Sequence, residues 1–180
     1  MTDENVDYKQ LNKKLKLEDQ LGFLLQDCIL EGKYAEGKMY NEPQVLVITP
    51  DWYFAIDLFK SVEKFDFSRR GYVIKPFKLF SKHMKPNEQV KALSKFHPKK
   101  SGSKLLNVYL GTPNRILKLL ELDGIKLTSS LKYVVLHCKR NMKNFTIFDI
   151  KDTRKDLVDL MKKLKSHLET HPRTKMMMCP

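Results

Sequence analysis

Apolar residues fall into two rhythms along the chain, one helical and one continuous, and the two alternate. Between Tyr8 and Leu30 the positions Leu11, Leu15, Leu17, Leu21, Leu24, Leu25 and Ile29 share a helical face. This spacing predicts one amphipathic helix or two short ones, closed by the stop and loop signals of Gly32 and Gly37. Val45-Leu46-Val47-Ile48 is a short unbroken apolar run, β-branched at three of its four positions, of the kind buried on both faces of a parallel sheet. It leads straight into Thr49-Pro50. Threonine caps helices, and proline suits a first helical position because it lacks the amide hydrogen that finds no partner there. Asp51 to Lys64 then carries Phe54, Leu58 and Val62 four apart, with Ala55 and Phe59 beside them, as a core-facing stripe.

This unit of strand, tight turn and helix recurs. Tyr72 to Phe80 reads as a second strand, and Pro76 within it predicts an edge position or a bulge. Pro86-Asn87-Glu88 opens a helix through Phe96, followed by a Lys-, Ser- and Gly-rich loop from His97 to Lys104. Leu105 to Leu110 is a third strand ending at Gly111-Thr112-Pro113, where Thr112 caps and Pro113 begins a helix. Ile116, Leu117, Leu119 and Leu120 pack inward along it until Gly124. A fourth strand covers Lys132 to Leu136. A late helix runs from about Asp152 to His167, with Leu157, Leu160, Met161, Leu164 and Leu168 on one stripe. Alternating strands and helices predict an α/β fold, a parallel sheet flanked by helices on both faces. The expected organisation is an N-terminal helical segment over 1–40, an α/β domain over 41–170 and a flexible tail over 171–180.

Composition narrows the class. A hydrophobic fraction of 42% over 180 residues suits one globular core. No stretch approaches the roughly 18 apolar residues of a membrane span, and the polar start from Met1 to Gln20 lacks a secretory run. The expectation is a soluble, intracellular chain with no membrane partner. Three cysteines, Cys28, Cys138 and Cys179, are too few and too scattered for a disulfide framework or a zinc motif. His167 and His171 sit four apart, but close to Pro172, where a helix frays, so no metal is assigned to them.

Charge changes the picture most. Lys and Arg number 34 against 21 Asp and Glu, a net charge of +13 and a pI near 9.6, which calls for a polyanionic partner. The excess concentrates between Lys64 and Lys104, with 12 basic residues against Asp66 and Glu88. In a parallel sheet, ligands bind at the carboxyl ends of the strands, where both Thr-Pro turns belong. A helix start presents unpaired amides and partial positive charge, a natural seat for phosphate. The two turns, with Arg115 in the first turn of the second helix, are placed to hold successive phosphates of one strand.

Enzyme motifs are missing. There is no Walker-type glycine loop, no Gly-x-Gly-x-x-Gly after a strand and no Gly-x-Ser-x-Gly elbow. Asp149, Asp152, Asp156 and Asp159 pair with Lys155, Lys162 and Lys163 as a solvated helix face. His137 and Cys138, being adjacent on a strand, point to opposite faces and make no nucleophile and base.

Leu110 to Leu120, with its Gly111-Thr112-Pro113-Asn114-Arg115 core, followed by Leu131 to Leu136, resembles the DEAD-box stretch in which a Thr-Pro-Gly-Arg turn precedes the strand ending in Asp-Glu-Ala-Asp. Val47 to Ala55 looks like the strand and Pro-Thr-Arg-Glu-Leu-Ala element that contacts RNA in those helicases. The resemblance runs from about Gln44 to Leu164 and implies a RecA-like domain. Its departures imply that ATP chemistry is gone. His137-Cys138-Lys139-Arg140 stands where the acidic quartet would hold magnesium, no Gly-Lys-Thr loop precedes Val45, and no room for a second RecA-like domain follows Pro180. Asp51 and Trp52 replace threonine and arginine. Asp51 would repel a phosphate, while Trp52 stacks on a base, docks a partner protein or is buried.

The octapeptide Lys78-Leu79-Phe80-Ser81-Lys82-His83-Met84-Lys85, with Glu88-Gln89 and the Gly-Thr-Pro-x-Arg element after it, is similar to the Cms-one family of small-ribosomal-subunit assembly proteins. That resemblance implies a nuclear and nucleolar protein of early pre-ribosomal particles, a helicase-like fold with no catalytic role and no cofactor. The expected function is a non-catalytic RNA- or ribonucleoprotein-binding factor in small-subunit biogenesis and rRNA processing. Its RNA contacts are expected at Thr49, Trp52, Lys78, Lys82, His83, Lys85, Thr112, Pro113 and Arg115. Pre-ribosomal RNA and pre-ribosomal proteins are the expected partners, and no small-molecule substrate. The alternative is a protein-protein interaction module of the same particle, docking through Trp52 or the late helix, with incidental RNA contact.

Overall fold

A computed structural model of the chain describes residues 16–32, 41–80, 84–95 and 104–179. The elements are α1 (Leu17–Leu30), β1 (Val45–Ile48), α2 (Trp52–Val62), β2 (Tyr72–Leu79), α3 (Pro86–Ser94), β3 (Lys104–Gly111), α4 (Pro113–Glu121), β4 (Tyr133–His137), α5 (Lys151–Thr170) and β5 (Lys175–Cys179). The five strands form one parallel sheet in the order β2-β3-β1-β4-β5. Alternation within each strand divides the core in two. Val45 and Val47 face α1 and α2, and Leu46 and Ile48 face α3, α4 and α5. Tyr133 and Val135 of β4 likewise face one way, Val134 and Leu136 the other. The predicted parallel α/β class, covered on both faces, is the one observed. Pro76 lies on β2, an edge strand, where the ladder bond that proline cannot donate is not needed.

Three predicted features take a different form. The helical segment assigned to 1–40 is, in its described part, a wall of the same core: Leu21, Leu25 and Cys28 of α1 are fully buried against the sheet. Residues 8–15 and Gly37 lie outside the described residues. Helix α2 starts later than the Thr49-Pro50 pattern predicts, because Asp51 takes the cap: its Oδ1 accepts from the backbone N–H of Tyr53 (3.0 Å) and Phe54 (3.2 Å). The expected flexible tail is instead strand β5, laddered to β4 from Lys175 N–H on Lys132 O (2.8 Å) to Cys138 N–H on Cys179 O (2.6 Å).

An ion cluster around the buried Lys132 ties α1 to the sheet. Lys132, 1% exposed, reaches the Asp27 carboxylate at 2.5 Å and that of Glu31 at 2.7 Å, and the Tyr133 hydroxyl donates to Asp27. Burial alone would raise the Asp27 carboxyl, but the bonds from Lys132 and Tyr133 and the charges of Lys132 and Lys175 outweigh it and hold it below its usual range. Gly111 closes β3 where no side chain fits: a Cβ there would stand 2.4 Å from the Leu79 carbonyl oxygen of β2. Among the described residues no helix is long and apolar enough to cross a membrane, and no group of three or more His, Cys, Asp or Glu is placed to hold a metal.

Candidate nucleic-acid interface

The carboxyl ends of β1 and β3 lie side by side, and both Thr-Pro turns stand there. Thr49 N–H donates to Gly111 O (2.8 Å), and its hydroxyl donates to the carbonyls of Asp51 (2.9 Å) and Gly111 (3.2 Å). Thr49 is therefore buried and fully engaged in joining the two turns, which corrects its assignment as a phosphate contact. Thr112 takes the cap position of α4 and Pro113 the first helical one, as predicted, although the Thr112 hydroxyl makes no capping bond. Thr112 is half-buried and Pro113 is buried.

Arg115 is the second correction. It is 3% exposed, and its guanidinium donates to Met84 O (2.8 Å) and Gln89 Oε1 (3.2 Å), while Gln89 Nε2 donates to Lys78 O (2.6 Å). Its bonds reach the segment after β2 and helix α3, so it braces α4, α3 and β2 with its side chain buried. Burial lowers its pKa. Lys78 and Lys85 are exposed as expected, Lys78 with its ammonium 4.3 Å from the centre of the Phe59 ring. Lys82 and His83 lie outside the described residues.

The concavity at this edge sits between β1 and β4, away from Arg115. It encloses about 470 Å³. One wall is the start of α2, with Trp52 (40% exposed), Tyr53 (52% exposed) and Phe54. The Trp52 and Tyr53 rings meet at 81° with centroids 6.0 Å apart, and Phe80 at the end of β2 lies 6.4 Å from Trp52. The other wall is the loop after β4, which brings Lys139, Arg140 and Lys143. That loop is braced from within. Asn141 Oδ1 accepts from the N–H groups of Lys143 (3.0 Å) and Phe145 (3.1 Å), Arg140 Nη1 donates to Asn144 O (2.8 Å), and Asn144 takes a left-handed φ of 62°. Asp51 is the sole acid among the described lining residues, and its Oδ1 is held by the cap of α2.

Beneath the basic wall, His137 is buried and meets Phe54 edge-on at 4.8 Å. Burial, helped by the charge of Lys139, pushes its pKa down to about 4, so the imidazole is neutral near pH 7. Cys138 packs toward the opposite core cluster and burial pushes its thiol up, as the strand alternation predicts. Of the seven predicted contact residues among the described ones, only Trp52 lines this concavity. Lys139, Arg140 and Lys143, which line it, were not among the predicted residues. Their signal was the basic cluster directly following a buried strand.

Known proteins share this sequence in part. The chain is 36% identical over 107 residues to Protein CMSS1 of Danio rerio, covering 59% of this chain and 32% of that protein. It is 33% identical over 118 residues to Protein CMSS1 of Homo sapiens, covering 65% and 37%. The chain thus spans about a third of the length of these relatives. Among solved structures, that of a DEAD box protein from the hyperthermophile Methanococcus jannaschii is similar over 80% of this chain and 32% of its own, at 17% identity and a TM-score of 0.44. Residues 31–179 match the family model described as "CMS1: U3-containing 90S pre-ribosomal complex subunit", and the chain belongs to that family.

Proposed function

We propose that this chain is a non-catalytic RNA- or ribonucleoprotein-binding module in small-ribosomal-subunit biogenesis, working in the nucleus and nucleolus on pre-ribosomal RNA and its proteins. The observation that carries the reading is the end of β4. Lys139, Arg140 and Lys143 stand there beside exposed aromatic rings, a surface suited to a phosphate backbone and unsuited to gathering magnesium. The net charge of +13 and a family described as pre-ribosomal subunits support it.

The test is binding of a short unstructured RNA across a salt series, for wild type, for Lys139→Ala with Arg140→Ala, and for Arg115→Ala. Single-stranded RNA gives a slope of about −0.7 in log affinity per phosphate neutralised, so the paired variant is expected to flatten the slope by about 1.4. Arg115→Ala is expected to leave it unchanged. ATP should add no thermal stability. RNA binding that is absent, or insensitive to salt, would overturn the reading. The second reading, a protein-docking module with incidental RNA contact, is favoured by the exposed Met142 (97%), Phe145 and Phe148 near the same loop and Val158 on α5.

A further inference from the structure

We infer that the concavity between the start of α2 and the loop after β4 is a seat for one unpaired nucleotide. Its base stacks on Trp52 or Tyr53, and its phosphates lie along Lys139, Arg140 and Lys143. This rests on the RNA-binding reading above and specifies which part of an RNA the site takes. A volume of about 470 Å³ falls in the range of small-ligand sites, roughly 300–1,000 Å³, and is of the right order for a single nucleotide. Two perpendicular rings form a corner: one offers its face to a base while the other closes the edge. Stacking on aromatic faces tolerates every base, since each has a π face.

The opposite wall supplies the other half of a nucleotide's chemistry. Its cations ride on a loop closed by five internal hydrogen bonds, those of Asn141 with Lys143, with Asn144 and twice with Phe145, and of Arg140 with Asn144, so the backbone that carries them is set before a ligand arrives. The Asn141 side-chain oxygen is used in that closure, and the recognition inferred here is by stacking and phosphate contact. A base inside a duplex has both faces covered and cannot enter this corner. The site therefore selects single-stranded or bulged RNA with little sequence preference.

Trp52 is the sole tryptophan of the chain, so its emission reports on this site directly. The experiment follows Trp52 fluorescence while the 180-residue protein is titrated with a ten-nucleotide oligouridine, an abasic oligonucleotide of equal length, and a ten-base-pair RNA duplex. Anisotropy of labelled RNA is read in parallel. The oligouridine is expected to quench the emission saturably, and the abasic strand and the duplex to leave it nearly unchanged. Tyr53→Ala, at an exposed position, is expected to weaken oligouridine binding about ten-fold without altering the salt slope. If anisotropy shows tight binding while the emission stays flat and Tyr53→Ala binds like wild type, the nucleotide seat is wrong and the RNA-binding reading stands. If anisotropy shows no binding at low salt, both fall. Quenching by an acidic, aromatic peptide but not by oligouridine would assign the pocket to a protein partner and overturn the inference.

Discussion

Arg115 and His137 show how far a residue's role depends on neighbours that its local sequence does not name. The arginine faces Met84 and Gln89, 31 and 26 positions away, and becomes a brace. The histidine, at the end of β4, is neutral because it is buried against Phe54 and lies near Lys139. Its folded pKa of about 4 lies below the ordinary 6.5, so between these values the unfolded chain binds a proton that the folded one refuses. The stability contributed is present above pH 6.5 and is lost as pH falls toward 4, by on the order of 3 kcal/mol in the limit. Urea denaturation of wild type and His137→Leu from pH 7.5 to 4 should show the steeper acid loss in wild type. Parallel pH curves would refute the assignment. The pattern around His137 showed that it shares no face with Cys138. Its burial, and hence its charge, required the packing of α2 over the strand end.

At the scale of elements, most of the fold was legible. β1, β3, β4, α4 and the late helix announce themselves by apolar runs, stripes and Thr-Pro turns, because each pattern reports a face that must leave water. Two features were not, the start of α2 and the last strand. Asp51 and Thr49 are both competent caps, and Thr49 loses the role because its N–H and hydroxyl are already committed to Gly111. Lys175-Met176-Met177-Met178-Cys179 has neither alternation nor β-branched residues, and it becomes a strand only because β4 offers an unpaired edge. Truncation after Thr174 separates the two accounts of this segment. A flexible tail would be dispensable, whereas losing β5, with Cys179 fully buried and its thiol 3.0 Å from Gln20 Oε1 of α1, is expected to cost about 3 kcal/mol or more in urea denaturation. An unchanged midpoint would return the segment to a tail.

The whole molecule is joined across its length by Lys132, whose ammonium meets Asp27 and its carbonyl, 105 positions earlier in the chain. Removing one partner of a buried pair leaves the other poorly compensated. Lys132→Ala is expected to destabilise the protein by about 3 kcal/mol, toward the lower end for such pairs because water can still reach Asp27 and Glu31. Lys132→Met combined with Asp27→Leu should recover much of the loss, and a double variant as unstable as the alanine one would show that the cluster is not the cause. What this sequence by itself determined is the alternating α/β architecture, the placing of two turns at one edge of the sheet and the cationic character of the protein. These follow from local spacing and from charge, which need no knowledge of distant contacts. The tertiary structure alone decided which cations reach that edge. Arg115 and Lys132 are drawn inside by partners far along the chain, while Lys139, Arg140 and Lys143 are left in solvent beside Trp52, because packing selects side chains by position in space and not by order in sequence.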